Sequence, residues 1–311
     1  MPGDSYVAGR QVVAAVGQTE RGGAALRWAA AEAAGRRLPL RVVHAYEWQP
    51  GPVWAGRLRP VPDSLPQEAR QAAAERLAVA VRDCEATEPG VPVTGVLTEG
   101  PAAEVLRDEA RSAELLVLGS SDQSRHTGGI GTIVRSVAER AACPVVVVRG
   151  AEQRHRPARV VVGLDIAHHS AAQHRLRYHN DAPLAYGFEI AQRWHAVLEA
   201  VSCWQPNLLD AESLLEPVVA AEKAAIEQQL CEELMPWSQK YPEVAVVATV
   251  LEQRPVAGLT ERAAAADLLV LGRPGSHPVR ALGSVHLAAL RRAGCAIALV
   301  PAALVPAGEP D

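Results

Sequence analysis

Glycine and hydroxyl residues near the end of the chain are spaced in a way that suits phosphate binding. The apolar run LLVLG precedes this loop and an Ala- and Leu-rich stretch follows it; the residues concerned are Gly272, Gly275, Gly283 and Ser284. Because glycine has no Cβ, its backbone N–H can approach a phosphate oxygen closely. The start of a helix adds unpaired N–H groups and partial positive charge. The loop also holds basic donors and two prolines: Arg273, His277, Arg280, Pro274 and Pro278. The prolines leave open the alternative of a plain turn followed by a helix cap.

A carboxylate stands at a second informative position, directly after an apolar run. Asp165 follows VVVGL, and at the end of a strand it could accept a ribose hydroxyl or help to hold a metal beside phosphates. The alternative is a carboxylate that fixes the next loop in place. Both interpretations place Asp165 at the carboxyl end of a strand.

The first half of the chain carries a weaker version of the same loop. Its glycines and the polar residues before them are Gly128, Gly129, Gly131, Arg125, His126 and Thr127. Successive N–H groups of such a stretch can form an anion-binding nest. The Asp122 carboxylate in this loop would repel phosphate. We therefore favour a surface loop over a binding site here.

Two related halves explain why these loops recur. LLVLGSSDQSRHTGGIGTIVRSVAERAACPVVVVR and LLVLGRPGSHPVRALGSVHLAALRRAGCAIALVP share the order apolar run, polar loop, Ala-rich helix, Cys and apolar run. The length of 311 residues fits two domains of ~100–200 residues each. We predict domains at 10–150 and 158–302, joined by the polar segment GAEQRHRP.

Apolar runs alternate with helical segments throughout both halves. We predict strands at 11–16, 40–46, 91–98, 115–119, 144–149, 160–164, 196–203, 244–251, 268–272 and 296–300. Predicted helices cover 22–36, 67–85, 102–112, 132–142, 184–194, 212–238, 256–265 and 283–292. Apolar strands separated by helices indicate an α/β fold with a parallel sheet covered on both faces. Ligands of such sheets bind beyond the carboxyl ends of the strands, where strand order reverses.

Composition excludes several classes of function. The net charge is −4, with both signs mixed along the chain, which argues against nucleic acid or an anionic membrane as a partner. No apolar run approaches the ~20 residues that span a bilayer. The chain has five cysteines and no CxxC pair, so we expect reduced, mostly buried thiols in a cytoplasmic protein.

Other candidate chemistry is weaker. Four histidines, His168, His169, His174 and His179, could bind zinc, but their spacing is irregular and a solvated loop is favoured. Cys143 and Cys295 precede the last strand of each half without a basic neighbour, so we expect packing rather than nucleophilic chemistry. The motifs of known hydrolases and of the P-loop are missing from the sequence. We therefore assign no catalytic residue, no resident metal and no efficient catalysis.

Each half resembles a universal stress protein domain, and the whole chain resembles the tandem type found in actinobacteria. The resemblance rests on VVAAVGQT, VVVGLD, ALRWAAAEAAGRRLPLRVVHAY, AAEVLRDEARSAELLVLGS, CPVVVVR and CAIALVP in this order. It implies five parallel strands with helices on both faces, in a Rossmann-like fold of the adenine nucleotide alpha hydrolase-like kind. It also implies ATP binding by a Gly-x2-Gly-x9-Gly-(Ser/Thr) loop, an Asp after the first strand, and a backbone contact to adenine after the second strand. The matching backbone positions are Val43 and Val201.

The two halves depart differently from that family pattern. In the first half Gly17 replaces the Asp, Asp122 replaces the second Gly, and Arg135–Ser136 take the place of the final Gly–Ser. In the second half Asp165 and the loop glycines are present, but the spacer holds seven residues instead of nine. Nucleotide binding is therefore expected mainly in the second half.

Three functions follow, in order of preference. The first is a stress-response sensor or regulator that binds ATP, with Mg²⁺ as its counter-ion. Its site residues are Asp165, Val201, Gly272, Gly275, Gly283 and Ser284, with weaker counterparts at Val43, Gly119 and Ser136. The second is a nucleotide-free interaction module whose last strands pair edge to edge, within the chain or in a homodimer. The third is a weak ATPase.

Overall fold

The computed structural model describes residues 10–17, 23–47, 65–120, 130–149, 158–166, 180–206, 216–273 and 281–302. These residues form two compact units, one ending at residue 149 and the other beginning at residue 158. Each unit alternates strands with helices, as the apolar runs of the sequence predict. The α/β fold with five parallel strands in each unit is confirmed.

The first unit contains β1 (Val12–Ala15), α1 (Gly23–Arg36), β2 (Leu40–Tyr46), α2 (Leu65–Thr87), β3 (Val93–Glu99), α3 (Ala102–Glu109), β4 (Leu115–Gly119), α4 (Thr132–Arg140) and β5 (Val145–Val148). Its strands lie parallel in the order β3-β2-β1-β4-β5. Helices α1 and α2 contact each other on one face of the sheet, and α3 and α4 contact each other on the opposite face.

The second unit contains β6 (Arg159–Leu164), α5 (Asp181–Trp194), β7 (Val197–Cys203), α6 (Glu216–Lys240), β8 (Val246–Leu251), α7 (Pro255–Ala263), β9 (Leu268–Arg273), α8 (Ser284–Arg292) and β10 (Ala296–Pro301). Its strands repeat the same order, β8-β7-β6-β9-β10, and all are parallel. Helices α5 and α6 contact each other, and so do α7 and α8.

Burial differs between the strands. Strands β4, β5, β9 and β10 are almost wholly buried runs of Val, Leu, Ile and Ala, as expected for strands covered on both faces. Strands β3 and β8 mix half-buried and exposed positions. The core of each unit therefore lies along its most buried strands.

Strand order reverses between β6 and β9 in the second unit. The chain runs outward from β6 through β7 to β8, then crosses back so that β9 pairs with β6 on its other side. The loops after β6 and β9 therefore leave the sheet in opposite directions. A crevice opens between such loops, and in the second unit it is bordered by Asp165 and Gly272.

Helix α5 begins earlier than the apolar pattern predicts. The prediction starts at Leu184, whereas the helix starts at Asp181 and includes Pro183. Proline is tolerated in a first helical turn because the N–H it lacks would have no helical partner there. The early start brings Pro183 against the end of β9, beside the crevice.

Candidate functional site

A crevice of about 270 Å³ lies at the carboxyl ends of β6 and β9. Asp165 lines it from the end of β6, Gly272 and Arg273 line it from the end of β9, and Gly283 and Ser284 line it from the start of α8. Acidic and N–H-donating groups thus face a single space. This arrangement can hold a ligand with hydroxyls at one end and an anionic group at the other.

The start of α8 supplies the anion-binding side of the crevice. Gly283 has extended backbone (φ −68°, ψ 171°) and precedes Ser284, the first residue of the helix. No side chain of the described residues caps this helix start, so its first N–H groups are available to a ligand. Together with the helix dipole they favour negative charge at this position.

His286 projects from the first turn of α8 and lines the crevice. Its Nε2 lies 2.7 Å from the carbonyl oxygen of Gly272. A carbonyl oxygen can only accept a hydrogen bond, so Nε2 carries the hydrogen in this contact. Nδ1 is buried and has no hydrogen-bond partner among the described residues. Burial lowers the pKa of His286, the bond to Gly272 partly opposes this, and the positive charge of Arg273 lowers the pKa further.

Arg273 places a positive charge in the wall of the same crevice. Only 2 % of this residue is exposed, and it is the largest fully buried side chain among the described residues. A cation at such a position raises the local preference for an anionic ligand. The carboxylate of Asp165, at the end of β6, gives the same crevice a negatively charged hydrogen-bond acceptor.

Two glycines allow the walls to approach each other. A Cβ on Gly272 would lie 3.1 Å from Cγ of Pro183, and a Cβ on Gly163 would lie 2.7 Å from Cδ2 of Leu271. Both glycines line the crevice. Larger residues there would force the start of α5 or the side chain of Leu271 to move.

The structure brings together four of the six residues predicted for the second half: Asp165, Gly272, Gly283 and Ser284. Val201 does not line the crevice; it is wholly buried in β7, paired in register with Gly163. Cys203, two residues further along β7, lines the crevice instead. Gly275 and the four histidines at 168, 169, 174 and 179 lie outside the described residues.

The first-half candidates are more scattered. Gly17 is exposed with open space around it, Val43 is buried in β2, and Gly119 ends β4. Ser136 lies one turn inside α4 and not at its start. Gly131 and Thr132 begin α4 as Gly283 and Ser284 begin α8. The predicted start of this helix at Thr132 is confirmed, so Ser136, which the family pattern aligned with the Ser of the final Gly–Ser, does not lie at the helix start.

Sequence reasoning missed His286. A polar residue in the first turn of an Ala- and Leu-rich helix is a weak signal, since most such residues simply face solvent. Only the packing of α8 against the end of β9 shows that the imidazole reaches Gly272.

Cys143 and Cys295 are buried, which confirms that they pack. Among the residues that the structure describes, no group of three His, Cys, Asp or Glu side chains could hold a metal ion. Within the same residues, no helix is both long and apolar enough to cross a membrane.

Comparison with known proteins identifies both halves. The model of the universal stress protein family matches residues 9–149 and again 159–301. A universal stress protein of Mycobacterium tuberculosis is 29% identical over 303 residues, covering 91% of this chain and 94% of that protein. One from Mycolicibacterium smegmatis is 27% identical over 276 residues, covering 85% and 87%.

A solved structure of the same family shows the same fold. A universal stress protein from Archaeoglobus fulgidus superposes with a TM-score of 0.65 at 13% identity, covering 95% of this chain and 99% of its own. A shorter protein of that family and organism, solved in complex with dAMP, matches 44% of this chain at 27% identity with a TM-score of 0.33.

Proposed function

This chain belongs to the universal stress protein family, and on that premise we propose that its second unit binds an adenine nucleotide. The ligand we favour is ATP with Mg²⁺. Nucleotide binding would make the protein a cytoplasmic stress-response sensor or regulator built from domains at 10–150 and 158–302. No catalytic base is assigned, so binding and not turnover is the proposed activity.

One observation carries the proposal: Asp165 and the uncapped start of α8 face the same crevice at the point where strand order reverses. The carboxylate is an acceptor for ribose hydroxyls or a ligand for Mg²⁺, and the N–H groups of the helix start are donors for phosphate. Arg273 adds a buried positive charge to the phosphate side. These groups together match a sugar phosphate better than either a neutral or a purely cationic ligand.

The first unit lacks half of this arrangement. Gly131 and Thr132 provide a comparable helix start, but Gly17 stands where Asp165 stands in the second unit and offers no side-chain acceptor. We therefore propose one principal nucleotide site in the chain.

Isothermal titration calorimetry with ATP and Mg²⁺, and with AMP, tests the proposal. The wild-type protein is expected to bind with a stoichiometry near one per chain. Asp165→Ala is expected to weaken binding by about tenfold or more, because a charge-assisted hydrogen bond contributes ~1.5–3 kcal/mol. Glu222→Ala removes an exposed carboxylate from α6 of the same unit and is expected to bind like the wild type.

Two results would contradict this function. One is the lack of any heat with either nucleotide at millimolar concentration, which would favour the nucleotide-free interaction module. The other is an equal loss of affinity in Asp165→Ala and Glu222→Ala, which would show a general charge effect and not a contact made by Asp165.

A further inference from the structure

We propose that His286 is an anion-binding residue of this crevice and takes up a proton from solvent when a phosphorylated ligand binds beside Gly283. The affinity of the crevice for phosphate would then rise as pH falls. This inference rests on the proposed function, since it concerns the ligand of the same site.

The Nδ1 atom of His286 lies at the start of α8. Nε2 donates to the Gly272 carbonyl at 2.7 Å, which fixes the ring and leaves Nδ1 as the atom that can gain or lose a hydrogen. Nδ1 lies beside the bare backbone of Gly283, where a Cβ would be 3.6 Å from it. It has no hydrogen-bond partner among the described residues although it is buried. A buried polar atom in that condition costs free energy unless a ligand or water satisfies it.

The protonation state of Nδ1 decides whether it can form a hydrogen bond with phosphate. When neutral, Nδ1 presents a lone pair and can only accept a hydrogen bond, whereas a phosphate oxygen without hydrogen can only accept as well. When protonated, Nδ1 donates and the imidazolium carries a positive charge, so the bond to phosphate becomes charge-assisted. Phosphate bound at the start of α8 thus prefers the protonated ring.

Charged groups on the elements around the His286 ring affect its protonation. Arg273 on β9 disfavours the protonated form, and Asp165 after β6 lines the same crevice. The packed strand β10 carries no ionisable side chain. On α7, Arg262 contacts Glu199, and Glu261 accepts a hydrogen bond from Gln253. The remaining basic residues of α8 itself, Arg291 and Arg292, are in its last turn.

The sign of the pH effect follows from these neighbours. In the ligand-free protein, burial and Arg273 keep the pKa of His286 below its ordinary value, so the ring is neutral near pH 7. A bound anion favours the imidazolium and raises that pKa. Binding therefore takes up a proton, and affinity increases as pH falls, by at most about tenfold per pH unit for one proton.

Calorimetry of wild type and His286→Gln with AMP and ATP, from about pH 6 to about pH 8 around the ordinary histidine pKa, tests the proposal. Buffers with different heats of ionisation give the number of protons taken up. Glutamine keeps a donor for the Gly272 carbonyl but does not titrate. The wild type is expected to take up between zero and one proton per bound nucleotide. The variant is expected to lose that uptake and to bind the nucleotide several-fold more weakly at the acid end of the pH range.

Two controls isolate the ring from other titrations. The second ionisation of a phosphate monoester lies near pH 6 and is common to both proteins, so the difference between them reports His286. Adenosine, which has no phosphate, is expected to bind without His286-dependent uptake. His195→Asn removes an exposed histidine of the same unit at a left-handed position (φ 50°) that asparagine tolerates, and it is expected to match the wild type.

A measurement on the wild type covers the case in which the glutamine variant fails to fold. The NMR titration of the His286 ring is expected to show a higher pKa with AMP present than without it. An unchanged His286 titration in the AMP complex, or equal proton uptake by wild type and His286→Gln, overturns the inference while leaving nucleotide binding intact. If neither nucleotide binds at any pH, the proposed function fails and the inference fails with it.

Discussion

Burial separates the cysteines of this chain into two kinds. Cys84, Cys143, Cys203 and Cys295 are buried, and Cys231 on α6 is exposed. Burial raises the pKa of both Cys84 and Cys203 to about 11, so these two are protonated at neutral pH. Since the thiolate is the reactive form, Cys203 is expected to be inert although it borders the crevice.

Alkylation with iodoacetamide near pH 8 tests this difference. In the folded protein Cys231 is expected to react at least tenfold faster than Cys84 or Cys203, and denaturation is expected to make all five thiols reactive, as read by mass spectrometry of peptides. Cys231→Ser serves as the control and should remove the fast phase. Fast modification of Cys203 in the native protein would contradict its burial.

At the scale of elements, a glycine sets how closely α5 approaches β6. A Cβ on Gly187 would lie 2.6 Å from Cγ2 of Val162, and Val162 is fully buried in the sheet. Valine is stiff about χ1, so it cannot turn aside. Helix α5 carries Pro183 to the crevice. Its close packing on β6 therefore depends on Gly187, one turn after Pro183, having no side chain.

Gly187→Ala is expected to lower the free energy of unfolding by about 1–2 kcal/mol. Overpacking of a core costs ~1–3 kcal/mol, and the better helix propensity of alanine offsets up to ~1 kcal/mol of that cost. Gly90→Ala is the matched control, because a Cβ there meets nothing within 4 Å. Urea denaturation measures both variants, and equal midpoints would show that α5 does not need this close approach.

At the scale of the whole molecule, the two units share a strand order but differ in the residue that follows their first strand. Both place the reversal of strand order beside that strand, and Asp165 of the second unit corresponds to Gly17 of the first. One chain thus carries two copies of a fold, and we assign nucleotide binding to one of them. Edge pairing of the last strands, within the chain or between two chains, stays a prediction.

Hydrogen exchange with and without ATP tests this asymmetry. A ligand at about a hundred times its Kd adds ~2.7 kcal/mol to the stability of the state that binds it. Added protection is expected in peptides covering the end of β6, the end of β9 and the start of α8, with little change around Gly17 and Gly119. Equal protection in the first unit would show that its crevice binds nucleotide without the carboxylate.

The architecture can be predicted from the sequence alone. Long apolar runs such as LLVL and VVVV cannot be solvent-exposed strands, so they predict buried parallel strands, and the strand and helix limits found in the structure lie within a few residues of the prediction. The sequence also named Asp165, Gly272, Gly283 and Ser284, because glycine, a helix-start hydroxyl residue and a strand-end carboxylate have a local signature.

Which groups share the crevice depends on how the elements pack in three dimensions. Val201 and Cys203 lie on the same face of β7, but Val201 is buried inside the strand, paired with Gly163, whereas Cys203 ends the strand and lines the crevice. His286 became a candidate only because α8 and the end of β9, which are separate in the chain, come within hydrogen-bond distance through the fold. Contacts between distant segments depend on packing, and a pattern of residue types along the chain does not encode them locally.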